Sequence, residues 1–509
     1  MGKKLMLRCI ALLLVLATLS VLVISCGKKD ETTDNTQTDN SSNNQIIDPE
    51  KEDKYAHIPG TDMDGYTFEA LARVTEWFAN EVTAEPDTGD QVLQSIYDRN
   101  TFVESRYNCI LTQTLISESE WTTWQNSVKA GESIYKVGLN HMMQVATEAL
   151  NGTMLNLKEL PKIQLDKNWW NQSMNRELTL NNKLYFTANE YCTSSVYFTW
   201  LMIFNMDLCS EKGIDVYGMI EDGTWTIDKL YEIVSGAYGD SNGDKAVDVN
   251  DTFGLVTHYN TVLTNYIFAF EIPVTTLKAD GKSVEVAFNS AETRMIAATE
   301  KIYDLLFNSA DGTLYLTDDV ISANWSGMLH DNAIATKFST NTALFSNVRI
   351  LGLETLRTSD VKYGIVPFPK WDTEQTEYHS HVDGRASLLF VPYTLPETEY
   401  ENVGTILEAL TISTQDIIMP VIQAAALLGR YSEDSDAYQC LQMTMEGRSY
   451  AFAYVFDTAL KTTKPYWSIV NIMKSKSNNF TNYWASKSRT AAREINSVIS
   501  KYINLHEGK

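Results

Sequence analysis

Apolar positions along this chain switch repeatedly between a period of two and a period near 3.6. Tyr66, Phe68 and Ala70 alternate with Thr67 and Glu69 directly after Asp64-Gly65, which predicts a half-buried strand. Gly89-Asp90 then opens a run carrying Val92, Ile96, Val103 and Tyr107 at helical spacing, with Asp90 as the N-cap. Ile110 to Leu115 returns to strand character, so the chain starts as strand–helix–strand, the opening of a parallel α/β sheet. Thr226 caps a helix with Ile227, Leu230, Tyr231 and Val234 on one face. Val403, Ile406, Leu407 and Leu410 repeat that spacing, as do Ala491, Ile495, Val498, Ile499 and Tyr502. Further strands are predicted at Val196 to Phe204, Lys362 to Val366 and Ser387 to Val391. No repeat of solenoid or propeller length is visible. The pattern predicts α/β lobes followed by a helical C-terminal region.

The first segment reads differently. Lys3, Lys4 and Arg8 precede an uncharged, mostly apolar run over residues 9–25, and polarity returns at Cys26. This is the layout of a secretory signal. Its end, Val23-Ile24-Ser25-Cys26, resembles a bacterial lipobox, so residues 1–25 are expected to be a lipoprotein signal peptide and Cys26 the lipidated first residue. From Lys28 to Gln45 no apolar residue occurs, and residues 26–62 are read as a disordered tether. The protein is then expected at the outer face of a bacterial cell membrane, held by lipid only.

Composition narrows the function. The 509 residues are 44% hydrophobic and 11% aromatic, enough for large cores. The formal net charge of −24 repels a phosphate backbone, which argues against nucleic acid as a partner. Six cysteines in this length exclude a disulfide scaffold, and Cys109, Cys192, Cys209 and Cys440 read as free or buried thiols, with one disulfide still open.

One loop carries clear metal-ligand spacing. Asp240, Asn242, Asp244, Asp248 and Asp251 occupy positions 1, 3, 5, 9 and 12 of a calcium-type loop, with the Ala246 carbonyl at position 7. Lys245 stands where glycine is usual, and the alternative is a solvated acidic loop. A bound Ca2+ here would be structural. His379-x-His381-x-Asp383 is a weaker candidate, and Asp280-Gly281-Lys282-Ser283 lacks the first glycine of a phosphate loop. Metalloprotease HExxH and hydrolase GxSxG motifs are missing from the sequence. The 11 Trp and 26 Tyr include the pair Trp169-Trp170, flanked by Asn168, Asn171 and Gln172; exposed aromatic faces of this kind stack on sugar rings.

Several segments taken in order resemble extracellular solute-binding protein family 1, the sugar-binding components of ABC importers. They are Leu160-Pro161 with Trp169-Trp170-Asn171, Phe204-Asn205-Met206-Asp207-Leu208, Gly223-Thr224-Trp225-Thr226, Phe338 with Ala343-Leu344-Phe345, Tyr363-Gly364-Ile365-Val366-Pro367-Phe368-Pro369, and Ser387 to Pro392. Asn341 and Arg385 depart from the family pattern. The resemblance implies a two-lobed periplasmic-binding-protein-like fold with a hinged cleft and no enzymatic activity. Lobe one is expected at 63–195 plus 327–380 and lobe two at 196–326 plus 381–509. The ligand is expected to be a carbohydrate, a neutral oligosaccharide, passed by a monomer to an ABC permease. Expected ligand contacts are Trp169, Trp170, Asn171, Glu190, Tyr191, Trp325, Asp383 and Arg385. Rival readings are a receptor for a peptide or other small solute, and a surface-anchored glycan hydrolase with paired carboxylates.

Overall fold

The computed structural model describes residues 53–117, 121–278, 280–427 and 435–506. The expected signal peptide, Cys26 and most of the tether lie outside these residues. The last part of the expected tether is packed rather than loose. Ile58 is buried, its carbonyl accepts from the Tyr107 hydroxyl at 2.7 Å, and Lys54 pairs with Asp416 at 2.5 Å.

Two five-stranded sheets organise the body. The first holds β1 (Tyr66–Arg73), β2 (Cys109–Ile116), β3 (Val137–His141) and β4 (Phe186–Thr187). The second holds β5 (Trp200–Asn205), β6 (Phe253–His258), β7 (Thr313–Leu316), β8 (Ala343–Arg349) and β9 (Tyr363–Val366). β10 (Ser387–Phe390) returns to the first sheet, whose order is β2-β1-β3-β10-β4; the second runs β9-β5-β8-β6-β7. β1 lies parallel to β2 and β3, and β10 antiparallel to β3 and β4. In the second sheet β8 is parallel to β6 and antiparallel to β5.

The α/β class and the opening β1–helix–β2 unit follow the sequence pattern. Asp90 caps α1 (Gln91–Tyr107) by accepting from the Val92 and Leu93 amides at 2.7 and 3.1 Å. The helix ends at Asn108, which takes the left-handed conformation (φ 46°) that releases the chain into β2. The strand predicted from Val196 starts later, at Trp200, because Ser194–Tyr197 form a helical turn.

The expected lobe boundaries require correction. Ala343–Arg349 and Tyr363–Val366 lie in the second sheet, not in lobe one, and Ser387–Phe390 lies in the first sheet, not in lobe two. β8 is buried over six of its seven residues and sits in the middle of its sheet, between β5 and β6, where an apolar run can be covered on both faces. The chain therefore crosses between sheets twice, over 188–199 and over 367–386. The two crossings touch: Thr199 and Val382 form an antiparallel bridge, and the Asp383 amide donates to the Phe198 carbonyl at 2.9 Å.

The helical C-terminal region belongs to neither lobe alone. α2 (Tyr400–Ser413) packs on α1 of the first lobe, while α4 (Ser435–Glu446) packs on β9 of the second. Between them a π-helical segment, Thr414–Ile418, leads into α3 (Met419–Leu427). Gly404 lets α2 seat closely, since a Cβ there would lie 2.0 Å from the Pro161 carbonyl oxygen. α6 (Ser488–Ile503) closes on the first lobe, with the Tyr502 hydroxyl donating to the Leu178 carbonyl at 3.0 Å; α5 (Trp467–Lys474) packs on Val262–Ala269 in the second lobe. The stretch Glu397–Leu427 has the length of a membrane span, but the 18-residue apolar window within it is 72% buried in the body, as a core helix is.

Candidate functional site

In open α/β sheets ligands are bound outside the carboxyl ends of strands. Here those ends meet at the two crossings. β1 ends at Arg73, β6 at His258 and β8 at Arg349. Arg73 lies over the ring of Phe78, 3.3 Å from its centroid; Phe78 stacks on Phe198 at 5.5 Å and 22°; Arg349 lies 4.5 Å from the Phe198 centroid on the lobe-two side. A guanidinium–ring–ring–guanidinium column thus runs from the first sheet, over the crossing, to the second.

Carboxylates surround this column. Arg349 Nε donates to Asp331 at 2.7 Å, and its Nη1 lies 3.9 Å from Asp383. Asp383 also accepts from the Thr261 hydroxyl at 2.8 Å and the Arg385 amide at 3.0 Å. Burial pushes the Asp383 carboxyl up, but Arg349, His381 and these hydrogen bonds outweigh it and hold the group below its ordinary range. On the first lobe, Glu81 accepts from the Ser194 amide at 2.9 Å and from the Ser387 hydroxyl at 2.5 Å, and Arg73 donates to the Arg385 carbonyl at 2.8 Å. Burial raises the Glu81 carboxyl against the pull of Arg73.

Two buried donors at this seam are unspent. His258 Nδ1 accepts from the Asn260 amide at 3.0 Å, so Nε2 carries the proton; Nε2 has no hydrogen bond among the described residues but faces Asp331 Oδ1 at 3.7 Å. Burial, followed by His330 and Arg349, lowers its pKa to about 3 and keeps the ring neutral. The Trp200 indole nitrogen is likewise unpartnered, and its ring lies 5.8 Å from His258. Lys474 from α5 lies 4.1 Å from the Tyr259 ring centroid, bringing a C-terminal cation to the same edge.

Of the residues expected at the ligand, Asp383 and Arg385 are at this seam, the first buried and the second exposed. Trp169 and Trp170 are not cleft aromatics. They are 5% and 1% exposed, and each indole donates at 2.8 Å to an oxygen of Glu408 on α2. Tyr191 is buried, with Arg99 5.0 Å from its ring centroid. Trp325 ends the helix Asp318–Asn324 and packs half-buried against the second-lobe core. Sequence reading missed Arg73, Phe78, Phe198, Asp331, His258 and Arg349. The available signal was a polar or charged residue closing an otherwise apolar strand, as His258 and Arg349 do.

Asn171 and Glu190 are instead brought together at a separate cavity of about 430 Å³, beside the first crossing. Trp170, Gln415, Met445 and Arg448 also line it. Glu190 forms a buried ion pair with Arg448 there.

The acidic loop carries Lys245 in the left-handed region (φ 65°). Its carboxylates, however, cap backbone amides. Asp240 accepts from Gly243 and Lys245, Asp244 from Ala246, Asp248 from Asn250, and Asp251 from Ser241 and Asp248. Asn242 accepts from the Asp244 amide, and the Ala246 carbonyl accepts from Tyr238 at 3.5 Å. No group of three or more His, Cys, Asp or Glu is gathered for a metal among the described residues. His379 and His381 face apart: His379 meets Glu271 at 2.9 Å, while His381 is buried against Thr264 and Asn265. Asp280 turns back on Lys282 and Ser283 in a capped turn. Cys109, Cys192, Cys209 and Cys440 are all buried, and no disulfide joins them.

No family model matches the sequence, and no curated protein matches it. The structure is similar to that of a cyclic alpha-maltosyl-1,6-maltose binding protein from Arthrobacter globiformis, with a TM-score of 0.54 and 12% identity over 86% of this chain and 99% of that one. It is also similar to a cyclo/maltodextrin-binding protein complexed with maltotetraose, with a TM-score of 0.50 and 11% identity over 86% of this chain and 96% of that one. The chain thus has the two-lobed, periplasmic-binding-protein-like fold on which those sugar-binding proteins are built.

Proposed function

We propose that this protein captures a carbohydrate, a neutral oligosaccharide, between its two lobes and presents it to an ABC permease. The observation that carries this reading is the seam where both sheets end. It sets paired guanidinium and carboxylate groups beside aromatic rings and two unspent donors, the chemistry that sugar hydroxyls and C–H faces require. Arg349, Asp331, Asp383 and Arg385 would bind hydroxyls, with His258 and Trp200 donating. The fold shared with proteins solved as sugar-binding proteins supports the same assignment.

A binding role fits the electrostatics better than hydrolysis. A glycosidase acid must hold its proton near neutrality. Asp383 is held below its ordinary range, and Glu81, although raised, is committed to Ser194 and Ser387. Lipid on Cys26 would keep the protein at the outer membrane face, within reach of a permease. A structural calcium in the 240–251 loop belongs to the same reading. The left-handed turn at Lys245 supports it, and Asp240, Asp244 and Asp248 would turn from backbone amides to the ion.

Titrating the mature chain with neutral oligosaccharides, followed by tryptophan fluorescence and melting temperature, tests the proposal. A saturable change with intact sugar is expected. Cleaved sugar would establish a hydrolase, and a response only to peptides would establish a different receptor.

A further inference from the structure

The cavity beside the first crossing shares none of its lining residues with the guanidinium–ring column or its carboxylates, although its Arg448 pairs with Ser380 on the second crossing. At about 430 Å³ it falls in the range of small-molecule sites, about 300–1,000 Å³. Its floor is the pair Glu190–Arg448, whose side chains are 7% and 8% exposed. A buried ion pair is a weak source of stability, because desolvation offsets most of the attraction. This pair also leaves hydrogen-bonding capacity open to the cavity. Arg448 donates Nε to the Met445 carbonyl at 2.8 Å, Nη1 to Ser195 Oγ at 3.5 Å and Nη2 to Glu190 Oε1. A guanidinium has five N–H donors, so some remain unspent. Glu190 Oε2 accepts from no described residue, although the group faces the cavity.

An unspent donor beside an unspent acceptor suits adjacent hydroxyl groups, which accept from the guanidinium and donate to the carboxylate. The charges of the pair cancel, and the rest of the polar lining is mostly carboxamide, so a neutral ligand fits better than an anion. Met419 and Met445 supply an apolar wall for the C–H face of a ring. Gln415 reaches the cavity from the π-helical segment Thr414–Ile418, and such segments recur at functional sites.

We propose that this cavity is a second carbohydrate site, taking a neutral sugar unit through vicinal hydroxyls at Glu190 and Arg448. The class of ligand rests on the reading of the protein as a sugar receptor; the existence of a separate site does not.

Calorimetric titration of the mature chain with glucose, maltotriose and maltotetraose tests this. The wild type is expected to take up about two equivalents of a bound probe, one per site. Gln415→Trp, which fills the cavity from a half-buried position, should remove one equivalent and leave the other. Arg385→Ala at the exposed edge of the seam should weaken the other equivalent and leave this one. A single equivalent in the wild type that Gln415→Trp leaves intact, or two retained in Gln415→Trp with an unchanged melting temperature, overturns the second site. Loss of all binding in Gln415→Trp with none lost in Arg385→Ala supports the cavity and overturns the seam assignment. Absence of uptake for all three sugars overturns the sugar assignment of the cavity.

Discussion

Phe78 and Phe198 stack at 5.5 Å across the boundary between the first lobe and the first crossing, each with a guanidinium over its ring. The stack holds Arg73 and Arg349 in line across the first crossing. Phe198→Leu keeps an apolar side chain but removes the stacking surface for both Phe78 and Arg349. It is expected to cost about 1–3 kcal/mol in urea unfolding, from the lost ring–ring and cation–π contacts. An unchanged unfolding midpoint would show that the column holds nothing together.

Glu408 ties four separate groups. It accepts from Trp169 and Trp170 at 2.8 Å each and from the Gln164 amide at 3.2 Å, and meets His57 Nε2 at 3.0 Å. Glu408→Leu strands these donors in a buried site and should lower stability by about 3 kcal/mol or more. Trp169→Phe should leave sugar affinity within about twofold, since the ring is structural. A tenfold loss of affinity in that variant would place Trp169 at the ligand.

Acid should destabilise the fold through two histidines. Burial lowers His258 and His381 to about 3, against 6.5 for the free side chain. Arg349 and His330 face His258 and add to the shift, while Asp383 opposes it; for His381, Asp383 opposes burial and Arg349 adds to it. The unfolded chain therefore binds protons that the folded chain refuses as pH falls from 6.5 toward 3. Stability falls over that window, by about 1.4 kcal/mol per pH unit per histidine, and is flat in this respect above it. Urea midpoints measured from pH 8 to 4 check the slope, and His381→Gln should flatten it.

Calcium should raise the melting temperature by a few degrees, with reversal by chelator, if the 240–251 loop turns its carboxylates onto an ion. Asp240→Ala should abolish the rise. A melting temperature indifferent to calcium in the wild type would leave the loop as a self-capped turn.

Local elements were the legible part. Strand β1 and helix α1 carry their period and their cap within a few adjacent residues, and both formed as read. The site was legible only where a residue lay on the crossings. Asp383 and Arg385 are there, but the column that organises them needs Arg73 and Phe78 from the first lobe and Arg349 from the second. Trp169-Trp170 illustrates the opposite case. Its amide-rich neighbours suggest an exposed platform, whereas the acceptor that buries it is Glu408, 239 residues beyond Trp169.

The sequence by itself determined the α/β class and the positions of the main strands and helices, because each depends on local periodicity and composition. Only the tertiary structure decided that β8 and β9 join the second sheet and β10 the first, and that Asn171 and Glu190 share a cavity with Arg448. Period and hydrophobicity state that a strand is covered on both faces, but not by what. Pairing is settled by contacts between segments far apart in the chain, such as Arg73 with Ser387, which no local pattern encodes.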